Sequence, residues 1–280
     1  MRTHIVKTGD TLTSIAKYFY NDYSKYTIIA SANGIANPND LKVGQVLKIP
    51  DISGAGADLE IDSSTFQLPI GGYYREEHRK RMIVLHFTAG TTASGAFNTF
   101  KNNRGRVATP YILDRDGKIY EIFPPRYWAI HLFRHYSGEY PIYYQLEQRT
   151  IPIEIVNVGP LKPDSGDRRQ LNWWAPPHPV TGRETFSTRW CTLDENDKYV
   201  KKTDRGIQYF AAFTAAQYAS LNKLIDYLCL HFDIPRQAPR NKLSTDLEGM
   251  INFNGVVCHQ NFRSDKWDIG PAFDWGKIGL

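Results

Sequence analysis

The stretch "RMIVLHF" (Arg81–Phe87) decides how most of this chain is read. It is a short apolar run flanked by polar residues, too brief for a helix and of strand length, and it ends on His86. Working outward, "GAFNTFKNNR" (95–104) reads as a short helix. "TPYILDRDGKIYEIF" (109–123) reads as two alternating strands joined at Asp116-Gly117, a strong turn signal. "TIPIEIVNVG" (150–159) is apolar enough to be a central strand. "TAAQYASLNKLIDYLCLHF" (214–232) is the one long amphipathic helix, with Thr214 as its N-cap and Leu221, Leu224, Ile225 and Leu228 on one face. "NGVVCHQ" (254–260) is a last strand ending at His259. Strands and helices interleave, which predicts an α/β fold with a mixed central β-sheet flanked by helices.

Residues 1–50 form a separate pattern. "THIVKTG" alternates like a short strand. "GDTLTSIAKYFY" follows with Asp10 as a candidate N-cap and Leu12, Ile15, Ala16 and Phe19 on one helical face. "YTIIASANG" is a second helix closed by Asn33-Gly34, and "LKVGQVLKIP" is a strand. The order is βααβ. Residues 51–75 carry Gly, Ser and Asp with little periodicity and read as a linker that becomes ordered near Phe66 or Leu68. The domain plan is therefore 1–50, a linker over 51–75, and a larger domain over 76–280. Between Gly159 and Gly206 lies a polar stretch rich in Pro and Trp, read as a long loop over 160–205. In it Trp173, Trp174 and Trp190 either wall a groove or pin the loop to the domain.

Composition narrows the classes. The formal net charge of +5 over 280 residues is too mild and too dispersed for a nucleic-acid binder, though it leaves an anionic polymer open. Three cysteines and no CxxC exclude a disulfide framework. No apolar run approaches a membrane span. The start, "MRTHIVKTGD", has no apolar core of a signal peptide. The expectation is synthesis in the cytoplasm without a cleaved signal, with any action outside reached by non-classical release or injection.

His86 and His259 each end a strand, and Asp268 lies nine residues after His259. Strand ends of an α/β domain are where sites form. Two histidines and a carboxylate with one position left open is the layout of catalytic zinc. On spacing alone the reading stays open, because no HExxH accompanies it and a lone buried histidine is more often core than ligand. Glu154 lies inside an apolar strand, where a carboxylate is costly unless it is paired or functional.

Two resemblances then enter. "VKTGDTLTSIAKYF", Asn33, "NPNDLKVGQVLKIP" and the closing Ile49-Pro50 resemble a LysM module over the whole first segment. That implies binding of N-acetylglucosamine-containing glycans, with Gly9, Asp10, Thr11 and Leu12 facing Ile35 and Asn37 across a groove. Gly9 either contacts glycan or only makes the turn, and Asp10 either contacts glycan or only caps the helix. "IVLHFTAG", "ATPYILDRDGKIYEIFP", "WAIH", "IPIEIVN" and "VVCHQNFRSDKWDIGPAFDW" occur in the order found in zinc-dependent N-acetylmuramoyl-L-alanine amidases of the amidase-2 type, relatives of peptidoglycan recognition proteins. This resemblance runs over residues 80–275.

It implies Zn2+ held by His86, His259 and Asp268, with Glu154 deprotonating the attacking water. Lys266 would stabilise the oxyanion or protonate the leaving amine. His131 would contact substrate or give structural support. Cys258 is taken as a core residue pointing away from His259, and Asp265 and Asp274 as surface charges. Where the family pattern has Asp-Pro-Gly, this chain has Asp268-Ile269-Gly270, and the same turn is expected.

The implied activity is hydrolysis of the amide between N-acetylmuramic acid and L-alanine in peptidoglycan. A lysis enzyme, an antibacterial toxin with a secretion apparatus and an immunity protein as partners, and a recycling enzyme all fit, the last least well. The rival is a non-catalytic peptidoglycan receptor. Receptors of that sort lack a metal ligand, and all three are present here.

Overall fold

The computed structural model describes residues 2–20, 23–50, 59–103, 105–132, 140–173 and 188–280. It divides into two compact units, Met1–Leu59 with Lys223–Ile234, and Glu60–Asn222 with Pro235–Leu280.

The N-terminal segment runs β1 (Arg2–Ile5), α1 (Leu12–Tyr20), α2 (Tyr26–Ala32) and β2 (Val46–Ile49), the order expected. β1 and β2 pair antiparallel, from Arg2 opposite Ile49 to Ile5 opposite Val46. Leu12, Ile15 and Ala16 of α1 meet Ile29 and Ala30 of α2 and Leu47 and Ile49 of β2 in a small core. Helix α1 starts one residue later than Asp10 capping would require. Thr11 Oγ1 accepts from Ser14 N–H at 3.0 Å and Ser14 Oγ accepts from Thr11 N–H at 2.9 Å, a reciprocal cap. Asp10 instead accepts from Lys7 N–H at 2.8 Å and pairs with His4 Nε2 at 2.7 Å. Asn33 closes α2 and also joins the sheet: its side chain exchanges two hydrogen bonds with the Lys48 backbone.

The larger unit opens with β3 (Ile61–Asp62), β4 (Met82–Phe87), α3 (Ala93–Lys101), β5 (Tyr111–Leu113), β6 (Ile119–Glu121), α4 (Tyr140–Gln148) and β7 (Thr150–Ile155). It continues with β8 (Pro160–Pro163), β9 (Gln170–Trp173), β10 (Arg189–Thr192), β11 (Tyr199–Asp204), β12 (Ile207–Ala211), α5 (Ala215–Phe232), α6 (Leu247–Asn252) and β13 (Gly255–Cys258).

Six strands form a mixed sheet in the order β13-β4-β7-β5-β6-β3. β13, β4, β7 and β5 are parallel, β5–β6 is the antiparallel hairpin, and β3 adds in parallel at the edge. Both faces of the central strands are covered: Met82 and Val84 point one way, Ile83 and Leu85 the other, and none is more than 1% exposed. Phe97 of α3 packs with Ile112, and Leu146 of α4 and Met250 of α6 pack with Met82 and Val84. Thr214 caps α5 through Gln217, each side chain accepting the other's backbone N–H at 3.0 Å. Among the described residues no helix is long and apolar enough to cross a membrane.

Two expectations are corrected. The second half of the 51–75 linker belongs to the domain. Asp62 accepts from Ser64 and Thr65 and pairs with Lys118, which pins β3 to the hairpin, and Leu68 N–H donates to Ile122 O. The described residues of the polar 160–205 stretch, 160–173 and 188–205, are not a loop. β8–β12 form a second sheet, wholly antiparallel, in the order β10-β9-β8-β12-β11. Its strands are short, and bulges interrupt β10 and β11, which hides the alternation. Leu161, Leu171, Cys191 and Ala211 form its core, and Trp173 and Trp190 pack against that core, so these two tryptophans pin rather than wall. Trp174 lies outside the described residues.

Candidate active site

The six-stranded sheet delivers the site through its register. His86 on β4 is the direct partner of Glu154 on β7, and parallel partners share a face, so imidazole and carboxylate stand side by side. β13 pairs with β4 up to Cys258 opposite Leu85. The strand ends there, one residue earlier than expected, and His259 opens a turn of 3₁₀ helix beside His86. The two rings lie 4.6 Å apart, edge to face. Cys258 shares the face of Leu85, away from His86. Its thiol is fully buried, donates to Lys242 O, and is pushed up to about 12 by burial, so it is a core residue as expected.

Asp268 reaches the histidines from the following loop. Gln260 fastens that loop at two points: its N–H donates to Asp268 O and its Oε1 accepts from Gly270 N–H, both at 3.0 Å. The Asp268–Ile269 peptide is cis, and Ile269 is buried. Asp268 Oδ2 sits 2.8 Å from His86 Nδ1 and 3.0 Å from His259 Nδ1. Burial pushes the Asp268 carboxyl up, but the charge and hydrogen bonds of His259 and His86 outweigh it and hold the group well below the usual carboxylate range.

The donor set fits a metal ion. One ligand atom from each of His86, His259 and Asp268 lies within 4.8 Å of the others. His259 Nε2 lies 3.0 Å from Leu132 O, and a carbonyl only accepts, so Nε2 carries the proton and Nδ1 turns a lone pair toward the carboxylate. A cation among these three atoms, a metal ion or in its absence a ring proton, satisfies them. Two imidazoles and one carboxylate suit zinc and leave a position open.

Glu154 is partly exposed, and burial raises its carboxyl to about 7, against the opposing charges of His86 and Lys266. That places a proton acceptor with a near-neutral pKa beside His86. Lys266 lies on the loop that carries Asp268, partly exposed and close enough for its charge to reach Glu154. The same loop is braced from the second sheet: the Arg205 guanidinium lies 3.7 Å over the Trp267 ring and donates to Ser264 O. Asp265 pairs with Arg263, and Asp274 caps the last 3₁₀ turn at the surface, as expected.

His131 differs from one of its two expected roles. Its side chain is 2% exposed and both ring nitrogens are engaged, Nδ1 with His86 Nε2 at 2.9 Å and Nε2 with Thr150 Oγ1 at 2.7 Å. Neither ring nitrogen is left for a substrate. Burial, with the charges of His86 and His259, holds its pKa well below 6.5. Thr150, Glu147 and Gln260 were not anticipated from sequence. Gln260, adjacent to His259, carried the one available signal.

In the N-terminal segment, Gly9 adopts a positive φ of 88°, so the turn alone requires glycine. Asp10 is tied to His4 and Lys7, Thr11 is exposed but committed to the cap, and Leu12 has a buried side chain that leaves only its backbone for a groove. Ile35 packs on the small core, and Asn37 is exposed and bonded to Asp40.

A family model described as N-acetylmuramoyl-L-alanine amidase matches residues 76–271, and a LysM domain model matches residues 4–50. An esterase of Mycobacterium tuberculosis is 47% identical over 51 residues, 18% of this chain and 11% of the esterase. An uncharacterized protein of Deinococcus radiodurans is 45% identical over 47 residues, 17% of this chain and 19% of that protein. The chain thus spans only a small part of the length of these curated relatives. Among solved structures, the N-acetylmuramyl-L-alanine amidase AmiD of E. coli, in complex with a substrate, aligns with a TM-score of 0.42 at 17% identity, over 73% of this chain and 58% of that one. An endolysin amidase of Clostridium intestinale aligns with a TM-score of 0.36 at 13% identity, over 78% and 92%.

Proposed function

Because the chain belongs to the N-acetylmuramoyl-L-alanine amidase family, whose model covers more than half of it, we propose that it hydrolyses the amide between the lactyl group of N-acetylmuramic acid and L-alanine in peptidoglycan. The observation that supports this reading most is the convergence of His86, His259 and Asp268 on one point with Glu154 alongside.

In this reading His86, His259 and Asp268 hold Zn2+. Bound there, zinc polarises a carbonyl and lowers the pKa of water toward neutrality. Glu154, raised to about 7, accepts the proton of the attacking water and has it available for the departing amine of L-alanine. Lys266 offers its ammonium to the charge that develops on the carbonyl oxygen. Residues 1–50 tether the enzyme to glycan and raise the local concentration of scissile bonds, while catalysis belongs to the region of the amidase match, residues 76–271. The action falls on the wall, outside the cytoplasm, as a lytic enzyme or an injected antibacterial toxin.

Metal analysis tests the reading. Protein purified without chelator should carry one zinc per chain, and the His86→Ala and Asp268→Ala variants should carry none. A wild-type chain that binds no zinc would overturn it and favour a non-catalytic peptidoglycan receptor.

A further inference from the structure

Each histidine ligand has a second nitrogen, and what that nitrogen touches decides whether Nδ1 offers a lone pair or a proton. For His259 the Leu132 carbonyl settles the matter. For His86 the answer comes through a chain of side chains that starts three groups away. Thr150 Oγ1 lies 3.0 Å from Glu147 O, which can only accept, so the hydroxyl proton points there. Oγ1 must then accept from the His131 Nε2–H at 2.7 Å. The Glu147 carboxylate, 3.3 Å from the same nitrogen, draws the ring proton to that side as well. His131 Nδ1 is therefore an acceptor. Across 2.9 Å it fixes the proton of His86 on Nε2 and frees Nδ1, which faces Asp268 Oδ2.

The backbone ties the two histidine ligands together. His131 serves His86 and its neighbour Leu132 serves His259, so a single dipeptide backs both ligands. Both N–H groups of that dipeptide donate to the Glu147 carboxylate at 3.0 Å, and Glu147 is fully buried. We propose that His131–Leu132, clamped by Glu147 and oriented by Thr150, sets the tautomer of both metal-binding histidines, and that His131 is a positioning residue for the metal rather than a contact for substrate. This rests on reading His86, His259 and Asp268 as the metal site.

Zinc affinity, measured by competition with a chromophoric chelator on the full chain, tests it. His131→Ala and Thr150→Val should each weaken zinc binding about 10–100-fold, the usual cost of losing a group that orients a ligand. Thr150→Ser keeps the hydroxyl and should restore affinity. Nitrogen-15 NMR of zinc-loaded wild-type protein should show His86 protonated on Nε2. Thermal melting of the metal-free proteins separates fold from affinity, and Thr150→Val carries the test if His131→Ala does not fold. Folded variants with wild-type affinity, or a His86 proton on Nδ1, would overturn the proposal. A wild-type chain that takes up no zinc would instead defeat the reading of the site itself.

Discussion

The six-stranded and five-stranded sheets follow one another in the same unit, and they are built by opposite rules. The first is largely parallel, covered on both faces and made of near-continuous apolar runs such as "MIVLHF" and "TIPIEI". Its carboxyl ends supply His86, Glu154 and, one residue past β13, His259. The second is antiparallel, short-stranded and bulged, and none of the expected metal or acid-base residues comes from it. Among the described residues it reaches the chemistry through Arg205, which braces the loop bearing Lys266 and Asp268, and through Phe210, whose ring lies 6.3 Å from that of Trp267 on the same loop. A buried parallel sheet thus fixes atoms to one another, while the added sheet adjusts a loop.

Equal core truncations in the two sheets give the largest expected effects and the sharpest contrast. Ile153→Ala in β7 and Leu171→Ala in β9 each empty a fully buried position, at a cost of about 2–5 kcal/mol. Denaturant titration reads the cost, and zinc affinity reads the consequence. Ile153→Ala should also weaken zinc binding, since it shifts the strand that sets Glu154 against His86, whereas Leu171→Ala should leave affinity unchanged. Equal losses of affinity would erase the distinction.

Next is Glu154 itself. Its folded pKa is about 7, above the ordinary value of 4.5. Between those values the folded chain holds a proton that the unfolded chain has released, so this group's contribution to stability falls as pH rises from 4.5 to 7. Glu154→Gln removes the dependence. In metal-free protein the variant should match wild type below about pH 4.5 and be more stable above pH 7, by at most about 3 kcal/mol. Urea melts across that range check it, and a gain that grows toward acid would contradict the burial argument.

A smaller effect belongs to the brace. Removing the stacked guanidinium in Arg205→Ala gives up about 0.5–1 kcal/mol of loop positioning, or about 2–5-fold in the rate of peptide release, with zinc content unchanged. Loss of zinc in this variant would mean that the added sheet shapes the metal site after all. The smallest effect is expected from Cys258→Ala, which should keep its full complement of zinc, because the thiol lies on the face of the strand away from His86. A fall in metal content would make Cys258 a ligand.

The two sheets also differ in how far they could be read from sequence. Strands β4, β7 and β13 and the β5–β6 hairpin were legible because burial on both faces demands unbroken apolar runs and because Asp116-Gly117 makes the turn. His86, His259 and Asp268 were placed by motif order, and the structure brings them together. The second sheet was hidden because its strands are short, Leu171 buries singly between Gln170 and Asn172, and bulges break the alternation. Asp10 was expected at a cap that Thr11 and Ser14 form, since adjacent capping residues cannot be ranked without backbone geometry. The support behind His86 was invisible for a related reason: Glu147, Thr150 and His131 meet through the packing of a helix end on a strand, and no spacing in sequence announces it.

The most direct test is to analyse the products of wild-type and Glu154→Gln protein acting on purified peptidoglycan by mass spectrometry. The account predicts intact stem peptides with a free L-alanine amino group, uncut glycan strands, and no release by Glu154→Gln although it retains its zinc. Cleavage within the glycan or the peptide, or undiminished release by Glu154→Gln, would contradict it.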